Sequence, residues 1–396
     1  IHDLGLTVSL FAFTPVRAYW RTGDVQAAET FWRLFEDWLE HNPPNQGMNW
    51  KCGQEISLRL MACIFALYGF TGCAAATPRR VEHLARFAAV SAARIEANID
   101  YALTQQNNHG ISEGAGLFTV GLLFPEFKDA ERWKQVGRKV LEALGESLIY
   151  DDGAFSQHSI NYHRVMLQVY LWAVRLGEVN GHLVGCSLVD RLSQAVDFLY
   201  PLINPADGTV PNYGQNDGAL VLGLNNCDYN DFRPVLQAAY YLCHKRRCLE
   251  PGPWDEDLFW LFGAGALAAE RAPCTKDRLA AARGGCYTLG QGGDMAFMRC
   301  ADHRHRPGQA DQLHVDIRWR GRPVAIDPGT YSYNAPDPWD NPLAHTCYHN
   351  TVSVDGQDQM RRVGRFIWLP WSRGTVERQE TVSGLGLDYW QAGHDG

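Results

Sequence analysis

Apolar residues recur at three- and four-residue spacing over most of roughly the first 275 positions, the period of helices that bury one face. Val25 to Leu39 carries Phe31, Leu34, Phe35 and Leu39 at that spacing. Asp24 is placed to cap its start and His41-Asn42-Pro43-Pro44 to end it. Glu55 to Phe70 is apolar almost all round, as expected of a helix enclosed by neighbours. Val81 to Ile99, Arg132 to Ile149, His163 to Leu176 and Leu188 to Tyr200 continue the series. Helices of similar length separated by polar breaks predict stacked helical hairpins.

Near residue 280 the pattern changes to short alternating runs between glycines. Gly284 to Leu289, Met295 to Arg299, Leu313 to Trp319, Pro323 to Asp327 and Asn350 to Gly356 read as strands, with Arg320-Gly321 as a turn. Close spacing with Gly and Asp turns predicts antiparallel pairing. The expected class is therefore α+β and multidomain, with a helical domain over 1–280 and a β-sandwich over 281–396. The 396-residue length agrees with two domains.

Composition narrows the function. A net charge of −8 argues against nucleic acid, although a local Arg/His cleft for an anionic chain can coexist with it. No run of 18 apolar residues occurs, so no membrane span is expected. Eleven cysteines without CxxC pairs predict buried free thiols, which allows a cytoplasmic location. The chain starts at Ile1 and stops at Gly396 inside what reads as a continuing domain, so it is expected to be a fragment. Thirteen Trp and sixteen Tyr would suit a sugar groove, although helix packing is the first expectation for any single Trp.

The candidate chemistry begins at Asn107-Asn108-His109, where an amide and an imidazole adjoin. Donors of this kind can hold a carboxylate as it gains enolate character, or simply cap and pack the next helix. Asp152-Gly153-Ala154-Phe155 then leads to Asn161-Tyr162-His163-Arg164, which puts ionisable groups at the mouth of an apolar helix. Tyr162 can move a proton there, or staple the helix entry. Pro211 to Gly218, with Tyr213 and Asn216, is a polar glycine-rich loop that could line a substrate or be a plain turn cluster.

Asn107-Asn108-His109, Ser159-Ile160-Asn161-Tyr162-His163, Asp327-Pro328-Gly329-Thr330-Tyr331 and His349-Asn350-Thr351 resemble, in this order, the signatures of the heparinase II/III-like lyases. Trp50 to Glu55 and Arg59 resemble the N-terminal part of the same family. The resemblance implies an incomplete (α/α) toroid, an antiparallel β-sandwich, and cleavage of acidic polysaccharides by β-elimination. It implies a periplasmic location. It makes Asn108 and His109 carboxylate neutralisers and Tyr162 the donor to the leaving oxygen. Trp50, Gln54, Glu55, Arg59, His163, Arg164, Tyr213, Asn216 and Tyr333 are expected to face substrate.

One segment departs from the family. Where an HxHxD run is usual, this chain has Arg306-Pro307-Gly308-Gln309-Ala310-Asp311, so Pro307 and Gln309 replace a catalytic and a metal-binding histidine. The variant resembles a subgroup tied to bacterial surface-polysaccharide gene sets. His305 or His314 is expected to supply the missing imidazole. Gln is a poor zinc ligand, so no cofactor is expected; a structural metal would need Gln309, Asp327 and His349. The alternatives are a glycan-binding protein whose catalysis lapsed with Pro307 and Gln309, or a two-carboxylate glycosidase using Glu55, Glu113 or Asp217.

Overall fold

The computed structural model describes residues 3–272, 274, 276, 278–382 and 387–396. Twelve α-helices precede the strands among these: α1 (Asp3–Thr22), α2 (Val25–His41), α3 (Gly53–Gly69), α4 (Pro78–Glu96), α5 (Ile99–Thr104) and α6 (Asn108–Leu123). They continue as α7 (Ala130–Leu148), α8 (Ile160–Val179), α9 (Cys186–Leu199), α10 (Arg233–His244), α11 (Asp255–Phe262) and α12 (Ala264–Leu267). None is long and apolar enough to cross a membrane, among the described residues.

Local chemistry explains the helix starts. The Asp24 carboxylate accepts from Gln26 N at 2.9 Å, and Thr77 caps α4 with Pro78 in its first turn. Helix α3 buries Ile56, Leu60, Met61, Ile64 and Ala66, and it packs on α1, α4 and α6, so its apolar surround is matched by neighbours.

A five-stranded antiparallel sheet runs in chain order: β1 (Ala280–Ala281), β2 (Cys286–Gln291), β3 (Asp294–Arg299), β4 (Val315–Trp319) and β5 (Arg322–Ala325). Cys286 pairs with Arg299 and Met298 with Val315. Two hairpins follow, β6 (Arg361–Gly364) with β7 (Ile367–Leu369) and β8 (Gly374–Val382) with β9 (Leu387–His394).

The strand expected over Asn350 to Gly356 does not form. Asn350 N donates to His314 Nδ1 at 3.0 Å, and its amide donates to Val315 O and Ile326 O, so the segment is fixed by side-chain bonds instead of a ladder. All eleven cysteines are free thiols, but Cys186 and Cys347 are exposed, so burial holds for only part of the set.

Contacts divide the chain into two compact units. The first holds Ile1–Gly145, Gln168–Gly185 and Leu220–Asn226; the second holds Glu146–Leu167, Cys186–Ala219 and Cys227–Gly396. Helix α8 therefore gives its first turns, with Tyr162, to the second unit and the remainder to the first.

Candidate active site

In the first unit the Asn107 side chain caps α6 by accepting from His109 N at 3.0 Å. Asn108 and His109 then occupy the first helical turn, where the positive end of the helix favours an anion. Asn108 is buried and His109 half-buried, with Nδ1 3.9 Å from Cys52 Sγ. Gln54 donates to Ser112 Oγ at 3.3 Å. Glu113, one turn beyond His109, is buried with Oε2 unpartnered, and burial pushes its carboxyl pKa up to about 8.

Two residues expected to face substrate in this unit do not. Trp50 is 1% exposed, packed against Trp38 and Phe87. Arg59 is also 1% exposed; both its terminal nitrogens donate to Asn49 O at 3.1 Å, and its guanidinium lies 4.5 Å from the Trp38 ring. An arginine so placed braces the turn before α3 and offers nothing to a ligand. Glu55 and Gln54 remain half-buried.

The second unit assembles a denser site. Ser159 Oγ accepts from Tyr162 N at 3.1 Å and donates to Gln215 O at 2.5 Å, which ties the start of α8 to the 211–218 loop. Gly214 in that loop has φ +78° and passes the His158 carbonyl so closely that a Cβ would lie 2.1 Å from it. The half-buried Tyr162 donates its hydroxyl to Asp217 Oδ2 at 2.9 Å. Burial, and then the Asp217 charge, hold its phenol well above the usual range. Tyr333 lies beside this pair, with its hydroxyl buried.

Behind the phenols, the Tyr229 hydroxyl sits 2.9 Å from Asn161 Oδ1 and 2.6 Å from Asn216 Oδ1. Arg164 Nη2 donates to Asn161 Oδ1 at 2.6 Å and Nη1 to the Tyr229 carbonyl, with the guanidinium over the Tyr229 and Phe232 rings. Arg164 is thus consumed in the scaffold. His163 is fully buried, bonded through Nε2 to Ala195 O and stacked on Phe198. Tyr213 is buried against Phe297. These three also depart from the expected substrate-facing role, because each fills packing space behind the loop. Asn216 and Tyr333 stay half-buried beside Tyr229 and Tyr162.

Neither Gln309 nor His314 sits where the sequence suggested. Gln309 accepts from Gly214 N at 3.1 Å and donates to Gly214 O and Gly329 O, both at 3.3 Å, so its amide is spent on backbone. His314 is fully buried and forms, with Asp327 and His349, a group whose ligand atoms all lie within 4.8 Å of one another. It cannot be an imidazole that meets substrate. Its Nδ1 accepts from Asn350 N, which leaves Nε2 towards Asp316 Oδ1 at 2.8 Å and Asp327 Oδ2 at 3.7 Å. His349 Nδ1 is 3.2 Å from Asp327 Oδ2, yet neither atom makes a well-aligned hydrogen bond. Asp327 Oδ2 and both His349 nitrogens are buried without hydrogen-bond partners. With His314 Nε2, which is bonded to Asp316, they are the donor set that would hold a divalent ion of zinc type, in place of one using Gln309.

His305 is half-buried, 2.8 Å through Nδ1 from the Tyr150 hydroxyl, and burial lowers its pKa. His158 and His303 are buried close by, their rings edge to face at 5.0 Å. Tyr150 and Tyr229 carried no signal in the sequence, and Asp217 entered only as a glycosidase carboxylate. Their neighbours lie too far along the chain for spacing to reveal them.

With this geometry in view, comparison with known proteins decides the family. The model of the heparinase II/III N-terminus matches residues 11–231 and that of the heparinase II/III-like C-terminal region matches 274–396. The chain belongs to the heparinase II/III family. Its relatives include a heparin-sulfate lyase of Bacteroides thetaiotaomicron, 26% identical over 90% of this chain and 52% of the relative. Another is that of Bacteroides stercoris, 24% identical over 90% and 55%. The crystal structure of heparinase III superposes with a TM-score of 0.64 at 21% identity, covering 92% of this chain and 55% of that one. A heparan sulfate lyase from Pedobacter heparinus gives 0.58 at 20%, covering 93% and 54%. The fold class is thus the incomplete (α/α) toroid followed by an antiparallel β-sandwich that the family resemblance implied. This heparinase-family chain spans about half the length of the relatives it matches.

Proposed function

We propose that this chain carries the catalytic groups of a polysaccharide lyase that cleaves a uronic-acid polymer by β-elimination. The observation that carries the reading is Tyr162, a phenol kept protonated at the mouth of α8, beside a second phenol, Tyr333. Its heparin-sulfate lyase relatives support the same class.

In the reaction a base takes the C5 proton of the uronate. The electron pair forms the C4–C5 double bond, and the bond from C4 to the glycosidic oxygen breaks. Asn108 and His109, with the α6 N-terminus, hold the carboxylate as its charge grows. Tyr162 gives its proton to the leaving oxygen. His305 is the imidazole assigned to the base role, since His314 belongs to the buried ligand group. His305 Nδ1 lies 2.8 Å from the Tyr150 hydroxyl, and in the tautomer with its proton on Nδ1 the Nε2 lone pair would take the C5 proton, on a ring that burial holds neutral. A divalent ion on His314, Asp327 and His349 would supply a structural cross-link between the start of β4 and the loops after it.

Product analysis tests this. Incubation with a panel of uronic-acid polymers should yield ends with a C4–C5 double bond. Saturated, hydrated ends would instead indicate the glycosidase. Binding without any product would indicate the lapsed, glycan-binding alternative that Pro307 and Gln309 favour.

A further inference from the structure

A second group of metal-ligating side chains surrounds the start of α3, and the elimination uses only its histidine. Cys52 immediately precedes the helix, half-buried, with Sγ 3.9 Å from His109 Nδ1. Glu113 of α6 rests its carboxyl on the backbone next to that thiol, since a Cβ on Gly53 would lie 2.3 Å from Glu113 Cδ. Glu113 is 3% exposed, and its Oε2 has no hydrogen-bond partner. A buried carboxyl oxygen left without a donor is costly, and a cation would satisfy it. Glu55, half-buried in the first turn of α3, brings a further carboxylate near Cys52. Arg59 also lies near the thiol, but both its terminal nitrogens are turned to Asn49 O. Thiolate, imidazole and carboxylate are the donors that zinc-type ions take.

We propose that Cys52 and His109, joined by Glu113, form an inhibitory site for a zinc-type divalent ion in the first unit, separate from the His314 group. Zn–S and Zn–N bonds meeting at a tetrahedral angle set sulfur and nitrogen about 3.6 Å apart. The 3.9 Å between Sγ and Nδ1 therefore closes with about 0.3 Å of side-chain motion. Burial raises the Cys52 pKa, so the thiol keeps its proton until a bound ion displaces it to solvent, and Glu113 gives up its proton in the same way. The three ligand atoms are not gathered within 4.8 Å as those of the His314 group are, so Glu113 must move in and this site is the weaker of the two. Held on the ion, the imidazole turns toward Cys52 and loses the orientation in which it meets the uronate carboxylate. The ion site stands on the geometry alone, whereas its inhibitory effect rests on the lyase reading.

Cobalt(II) added to the full chain is the first probe. A thiolate bound to cobalt gives a near-ultraviolet charge-transfer band that imidazole and carboxylate ligands do not, so the His314 group is silent there. The band should saturate at about one ion per chain. It should vanish in Cys52→Ser and remain in Cys186→Ser and Cys347→Ser, which remove exposed thiols. His109→Ala and Glu113→Gln should each weaken cobalt binding by more than about tenfold. Zinc should slow unsaturated-end formation by the wild-type chain, and Cys52→Ser should resist the same zinc concentration, whatever its own rate. No band in the wild type, a band that survives Cys52→Ser, or an unchanged cobalt affinity in His109→Ala overturns the site. Equal zinc sensitivity in wild type and Cys52→Ser overturns the inhibitory role. No unsaturated product even without zinc would bring down the lyase reading and the inhibitory role with it, while the cobalt band still decides the site.

Discussion

The two regions that carry the proposed chemistry are built in opposite ways. At the start of α6 three consecutive residues do everything: Asn107 caps the helix, and Asn108 and His109 ride on its first turn. Around Tyr162 the site draws on α8, the 211–218 loop, Tyr229 and Tyr333, segments up to 171 positions apart in the numbering (333 − 162). The first site is local and the second exists only once the second unit has folded. Substitutions should therefore separate chemistry from stability in different ways in the two regions.

The largest effect is expected at Tyr162. Tyr162→Phe keeps the ring and deletes the proton donor, and should lower kcat by about 10²–10⁴-fold with little change in KM, measured by steady-state kinetics. His109→Ala follows, at about 10²–10³-fold, because it removes one donor to the growing enolate. Full activity in His109→Ala would separate the α6 turn from the reaction and break the comparison.

Next comes the metal. Purified protein is expected to contain about one divalent ion, retained in Gln309→Ala and lost in His314→Ala, read by elemental analysis. Loss with Gln309→Ala but not His314→Ala would return the ligand set to the sequence-based one. Gln309→Ala should also lower stability by about 1–3 kcal/mol, since it leaves three buried backbone groups of Gly214 and Gly329 unbonded.

The units also differ in how pH acts on them. Glu113 in the first unit has its pKa raised by burial from 4.5 to about 8, so the folded state holds a proton the unfolded state has released. That stability is present below pH 4.5 and drains away as pH rises through 8. His303 in the second unit has its pKa lowered by burial from 6.5 to about 4, so its contribution is present above 6.5 and is lost as pH falls through 4. Melting temperatures across pH should show Glu113→Gln flattening the alkaline side alone and His303→Gln the acid side alone. Smallest of all, Asn107→Ala should cost about 1 kcal/mol as a lost cap.

Much of the fold was legible because helix period and capping are local. Asp24, Thr77 and the apolar α3 act within a few residues of themselves, and β2, β3, β4 and β5 lie where alternation and turns put them. The strand expected at Asn350 failed because His314 and two distant carbonyls claim its bonds, which no period records. The same limit governs the site. Asn107 to His109 could be read because the motif is contiguous. Arg59, Arg164 and His163 looked like ligand-facing groups because their type suggested it, whereas burial turned each into a brace. His314 was read as a free imidazole because its partners Asp327 and His349 are brought to it only by folding.

The most direct test of elimination compares a uronic-acid polymer with the same polymer after its carboxyl groups are reduced to alcohols. Reduction removes both the acidity at C5 and the group that Asn108 and His109 are proposed to hold. Ultraviolet absorbance of the unsaturated uronate should rise with the native polymer. With the reduced polymer, neither absorbance nor chain shortening should appear. Shortening of the reduced polymer at a comparable rate would contradict the account, because bond cleavage would then need no carboxylate at all.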